Sequence, residues 1–450
     1  MRVVIVGGGN VGFTSAEALC RFHDVLVIEK DTAKADNIRS LLNVSVLMED
    51  GSNPRVLRSA IDRIDAEVIL SALSDDGLNL FIGMIAKRHK PGIKTVATLK
   101  DPDYGIETAA EGVEGIDVLI SPEQITAEMI VRIALLDNVV QYDYLESRNA
   151  AFAVFKAYRD HDIVGRVVME LDVPPECSVV AVYRGDATLL DTETAQIRAG
   201  DRICVFGSPE AVEDFNRLMG IGREAKEYII IGASPPGIAI AKALSQSGRR
   251  RFIKMIDRSE ANCRNAAKVL SDVVIVHADI ADPQVIRGEN IDRADVIVSV
   301  SANDERNLLA CMAGLRFGVR KIVSRYSSEE YEEIFKHTGV ESIIGYHRII
   351  ANEITKKLIY DENAILRLDR EGELFFSVGI DGRSKMVDRC LGDMRLPEGV
   401  RIAAIIRGHG TIYPRLNTIF LEGDEVLIFA HDVNRAKLAR FLGRDAPAEL

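Results

Sequence analysis

The chain has 450 residues, 47% hydrophobic and 28% charged, a globular composition long enough for three or four domains. Its formal net charge of −12 opposes an extended phosphodiester partner, whose binding depends on Lys and Arg neutralising phosphates, so nucleic acid is not an expected partner. No apolar run reaches the roughly 18 to 20 residues of a membrane span, and Met1 to Val6 reads as a strand rather than a secretory leader, so the expected compartment is the cell interior.

The opening stretch MRVVIVGGGNVG is an apolar strand ended by glycines. After it Val11, Ser15, Ala18, Leu19 and Phe22 fall at helical spacing, and VLVIEK is again a strand. Further strands are expected at VSVLME, AEVILSAL, KTVATL and DVLIS, with helical stretches between them. Such alternation predicts a parallel sheet covered on both faces, the doubly wound nucleotide-binding architecture. A helix at SPEQITAEMIVRIALL follows, and at NAAFAVFKAY the pattern changes to short strands closed by one helix, EAVEDFNRLMG.

The second half repeats the first. Gly232 and Gly237 repeat Gly7 and Gly12, HADIADPQVI repeats MEDGSNPRVL, and ADVIVSVSANDERNL repeats AEVILSALSDDGLNL. Farther on, Arg407 and Asp424 repeat Arg184 and Asp201. A period of about 225 residues is too long for a solenoid and means two whole copies of a two-domain unit. The expected fold class is α/β, with two doubly wound Rossmann domains at 1–140 and 226–358. Small α+β domains are expected at 146–222 and 363–443. The joints are expected near Val140 to Ser147, Gly220 to Lys226 and Tyr360 to Asn363.

Gly7, Gly9 and Gly12 form GxGxxG between a strand and a helix. The first allows the tight turn, the second a close approach of main chain to pyrophosphate, the third close helix–strand packing. The helix start adds N–H donors and partial positive charge. Glu29 closes the second strand, where a carboxylate accepts from both ribose hydroxyls and repels a 2′-phosphate, which favours NAD or NADH over NADP. ATP and ADP carry the same ribose diol and stay open as ligands. Asp50 with Gly51, and Leu73 with Ser74, end the next two strands and border the same crevice.

In the second copy the turn reads Gly232, Ala233, Ser234, Pro235, Pro236, Gly237. Ser234 adds a side chain at the closest backbone approach, and the prolines remove two donors, so phosphate affinity is expected to fall there. Asp257 keeps the ribose position. Six scattered cysteines and the histidine spacing indicate neither a disulfide framework nor a metal site. Arg249 to Arg251 read as a solvated turn. A hydride-transferring oxidoreductase is the enzymatic alternative, but the non-Rossmann portions, about 70 residues each, occur twice and offer no single catalytic domain; no enzyme activity is expected.

The paired layout, with SALSDDGLN and SVSANDERN at the fourth strand and DVLISPEQITAEMI at the sixth, resembles the peripheral regulatory subunits of Trk-type potassium uptake systems. The resemblance covers essentially the whole chain, as two KTN or RCK nucleotide-binding domains each followed by an RCK C-terminal domain. It implies a homo-oligomeric ring, a tetramer of double units, beneath a potassium-translocating membrane subunit and on the cytoplasmic face without insertion. It also implies binding of NAD, NADH, ATP or ADP and gating without chemistry on the ligand; a regulator of another cation or solute system shares these features. Carried over by position, it adds Gly8, Asn10, Val11 and Thr98 to the first site. The second would use Gly232 to Pro236, Asp257, Asp279, Ser301 and Arg325. Here VATLK puts Thr98 where the family commonly has Arg, and GYHRII stands where SPEQIT does in the first half.

Overall fold

The computed structural model describes residues 1–20, 23–100, 114–145, 149–192, 194–220, 225–247, 251–359, 365–367, 373–382, 384–408 and 410–442. Arg249, Arg250, the tail 444–450 and parts of the three expected joints lie outside the described residues. The chain divides into two compact units. One holds residues 1–127 and 344–360; the other holds 128–343 and 361–448.

The first unit is built on six parallel strands: β1 (Arg2–Val6), β2 (Asp24–Ile28), β3 (Ser45–Leu47), β4 (Val68–Ser71), β5 (Lys94–Thr98) and β6 (Val118–Ile120). Their order is β3-β2-β1-β4-β5-β6, with Val3 opposite both Val25 and Val68. β1 is apolar at nearly every position because both its faces are covered, the reason a central parallel strand shows no alternation. The order reverses between β1 and β4, so the chains leaving their carboxyl ends part and open a crevice. Helix α1 (Asn10–Leu19) follows β1 directly, and α2 (Thr32–Leu41), α3 (Pro54–Arg63) and α4 (Asp76–His89) return the chain to the sheet. Asp31, Asn53 and Asp75 cap the last three through their side chains.

A helix from far along the sequence completes this unit: Tyr346–Ile359 packs against α1. Its Ile350, Ile354 and Leu358, spaced by four, enter the core beside Val3, Ile5, Ala16 and Leu19. Each such burial contributes about 1.5–3 kcal/mol. At its end, Lys94 Nζ donates to Lys357 O at 2.7 Å.

In the second unit, strands Glu227–Ile231, Phe252–Asp257, Val273–His277, Val296–Ser299 and Lys321–Tyr326, continued by Ser342–Gly345, repeat the six-stranded order of the first sheet. Lys321 begins the fifth of these strands as Lys94 begins β5, and its Nζ also donates to main chain, to Leu136 O and to Val139 O at 2.9 Å. The same unit contains two five-stranded antiparallel sheets, from Val139–Gly207 and Ile365–His431. Their closing helices are Pro209–Leu218 and Arg435–Leu442. Both sheets feed one core, where Phe152, Phe206, Phe375 and Phe429 meet. The duplication is preserved in detail: Arg184 grips Asp201 at 2.7 and 2.9 Å, and Arg407 grips Asp424 at 2.7 and 2.8 Å. Among the described residues no helix is long and apolar enough to cross a membrane, and no cluster could hold a metal ion.

Candidate functional site

The crevice of the first unit opens over the β1–α1 turn. Gly7 has φ +103°, a left-handed conformation reserved for glycine, and a Cβ there would lie 2.8 Å from Ala72 O. A Cβ on Gly12 would lie 1.8 Å from Gly7 O, so helix and turn touch main chain to main chain. Gly9 is different: φ is −68°, and a Cβ would meet nothing within 4 Å. Gly9 is the N-cap of α1, and among the described residues no side chain caps this helix. The first-turn amides of Asn10 and Val11 thus receive no capping side chain, and a helix start of this kind is the arrangement that receives an anion.

Glu29 is buried beside this turn. Its Oε2 accepts from Gly8 N at 2.6 Å and its Oε1 from Asp31 N at 2.8 Å. Two amides thus fix the carboxylate, while each oxygen retains a second acceptor direction for a ribose diol. Asp50 accepts from Ser52 Oγ at 2.7 Å and Ser52 N at 3.0 Å, and Lys30 stands 3.9 Å away. The Ser52 hydroxyl, its amide and Lys30 hold the Asp50 carboxyl below its usual range. Gly51 is needed by packing, because a Cβ would lie 2.3 Å from Val6 Cγ1.

The far wall is pinned by Asn79, which lies outside the glycine motif and the strand ends expected to line the site. Its Oδ1 accepts from Leu73 N at 2.8 Å, and its Nδ2 donates to Leu73 O at 3.0 Å and Thr98 O at 2.8 Å. The ends of β4 and β5 are held together by one amide. Thr98 is buried, and its hydroxyl donates to Ser71 O at 3.2 Å; Ser74 is exposed in the loop beyond. The signal for Asn79 was present in the duplication, where Asn307 stands at the matching position.

The second copy keeps the frame and changes the cradle. Gly232 has φ +114°, and a Cβ on Gly237 would lie 2.0 Å from Gly232 O. Asp257 accepts from Ala233 N and Ser259 N, both at 2.7 Å, as Glu29 does from its two amides. Asn307 binds Ser301 N at 3.0 Å and donates to Ser301 O at 3.0 Å and Arg325 O at 3.1 Å. Ser234 is the N-cap of the helix Pro235–Gln246 but makes no capping bond. Pro235 and Pro236 fill the first helical positions, so two amides available in the first copy are absent here. Asp279 faces Arg306 at 3.4 Å, and the Ala281 amide, then this guanidinium, hold its carboxyl low. The first copy has Leu78 at the position of Arg306.

The open position at Gly9, the uncapped helix start and the doubly fixed Glu29 fit a phosphate joined to a ribose with both hydroxyls free. The TrkA-N domain model matches residues 3–122 and 228–346, and the TrkA-C domain model matches 153–220 and 378–443. A Trk system potassium uptake protein TrkA homolog 2 of Methanosarcina mazei is 27% identical over 96% of this chain and 97% of its own length. The Trk system potassium uptake protein TrkA of Vibrio alginolyticus is 23% identical over 95% of both chains. Among solved structures, the GsuK RCK domain superposes with a TM-score of 0.64 at 19% identity, covering 96% of this chain and 92% of that one. The GsuK channel bound to NAD gives the same TM-score and identity, with 96% and 77% coverage. With both of its domain types present twice and in alternation, the chain belongs to the TrkA family.

Proposed function

We propose that this chain is a peripheral, nucleotide-sensing regulatory subunit that gates a Trk-type potassium transporter and catalyses no reaction. The observation that carries the reading is the first turn: an uncapped helix start over an open Gly9, with Glu29 held by two amides beside it. The names of the relatives support the transporter, and the GsuK structures described with NAD and with ADP support the ligand class. NAD or NADH binds across Gly7 to Val11 and Glu29, with Asp50, Gly51, Leu73, Ser74 and Thr98 bordering it; ATP and ADP compete through the same diol. The second site binds more weakly because Pro235 and Pro236 present no amides.

The chain works as a homo-oligomeric ring on the cytoplasmic face of the membrane, built from four double units. A ligand gates such a ring only by binding one of its shapes better, with coupling of about 1–3 kcal/mol. The test is calorimetric titration of the full chain with NADH, NAD, ATP and ADP. It is joined to potassium flux through a Trk-type membrane subunit in vesicles, with and without the chain. Saturable binding and a flux that follows the bound ligand are expected. A chain that binds none of the four, or turns over NADH with a substrate, overturns the reading.

A further inference from the structure

The helix Tyr346–Ile359 belongs in sequence to the second copy but lies on α1 of the first unit. Three anchors set its position. Ile350, Ile354 and Leu358 are sunk in the core, Lys94 holds its last turn, and Tyr346 OH donates to Glu123 Oε1 at 3.0 Å. Its second residue, His347, comes to the start of α1, with Nε2 3.0 Å from Asn10 Nδ2. An amide nitrogen of Asn can only donate, so in this contact Nε2 is the acceptor.

Asn10 is the first residue of α1, in the turn whose amides await an anion. From this geometry we infer that His347 is a ligand residue of the first nucleotide site, supplied by the second copy and addressed to the diphosphate; this rests on the nucleotide reading given above. A phosphate oxygen above Asn10 is an acceptor that both the Asn10 amide and an Nε2–H imidazole can serve. With the ligand bound Nε2 carries the proton, moved from Nδ1 or taken up from solvent, and the imidazole changes from accepting a hydrogen bond to donating one. The corresponding residue of the first copy is Glu123, a carboxylate that would repel a phosphate and instead binds Tyr346. The GYHRII segment thus gives the two copies different roles: the second lends a phosphate partner that the first does not return.

The experiment measures NADH, ADP and adenosine binding to the full chain by calorimetry for wild type, His347→Ala and His347→Gln, with thermal unfolding of each. His347→Ala should bind NADH and ADP about tenfold more weakly, the effect of one lost hydrogen bond to a charged group, and adenosine unchanged. His347→Gln, which keeps a donor and an acceptor, should recover most of the loss. Equal affinities for NADH in wild type and His347→Ala would overturn the inference, as would an equal loss for adenosine, which would mean a displaced helix. If wild type binds none of the three, the nucleotide reading itself fails, an outcome distinct from either of these.

Discussion

Substituting Gly9 by Ala separates binding from folding at the first turn. The backbone there has φ −68° and ψ −176°, which any L residue adopts, and the new methyl would touch nothing within 4 Å among the described residues. Stability should hold or rise by about 0.4–1 kcal/mol, because alanine restricts the unfolded chain. A phosphate oxygen within about 3 Å of the helix-start amides, however, would meet that methyl and be pushed outward. Losing one charge-assisted hydrogen bond, about 2 kcal/mol, corresponds to roughly thirtyfold weaker binding. Calorimetric titration of the full chain with NADH, beside its denaturant midpoint, reads both quantities. Gly12→Ala is the contrast, since its Cβ would fall 1.8 Å from Gly7 O and must force helix and strand apart. Wild-type NADH affinity in Gly9→Ala would refute the phosphate assignment, and a lowered midpoint would refute the open space above the turn.

Three other expectations follow from the same geometry. Glu29→Ala leaves the Gly8 and Asp31 amides without their acceptor, costing about 1–3 kcal/mol of stability, and removes the diol contact; NADH titration should show at least a tenfold loss. Burial lowers the Lys321 ammonium to about 7, so above that pH the folded chain holds fewer protons than the unfolded one and gains stability up to the ordinary lysine range. Urea midpoints at pH 7 and 9.5 should therefore rise for wild type relative to Lys321→Met, by about 1–3 kcal/mol, and parallel profiles would contradict it. Asp201→Ala and Asp424→Ala each strip a two-bonded partner from an arginine, and chemical denaturation should show losses of about 2–3 kcal/mol in both.

Most of the fold was legible because its signals are local. The apolar run of β1 reports burial on two faces, and GxGxxG between strand and helix reports a turn that only glycine can make. Glu29 was legible for the same reason, standing at the end of β2 where the crevice must lie. What escaped was set by contacts distant in sequence. Periodicity shows that Tyr346–Ile359 has an apolar stripe but not which core receives it, and so His347 could not be placed beside Asn10. Asn79 looks like an ordinary helix residue until its amide is seen joining β4 to β5. Gly51 reads from sequence as part of a ligand loop, whereas its immediate constraint is the Val6 side chain.

The two small sheets complete each other's interior: Phe375 of the second touches Phe152 and Phe206 of the first, so either sheet expressed alone would expose its rings to water. Such a half would need a second molecule to cover them. The full chain carries that cover within itself, which ties the folding of one small domain to the presence of the other.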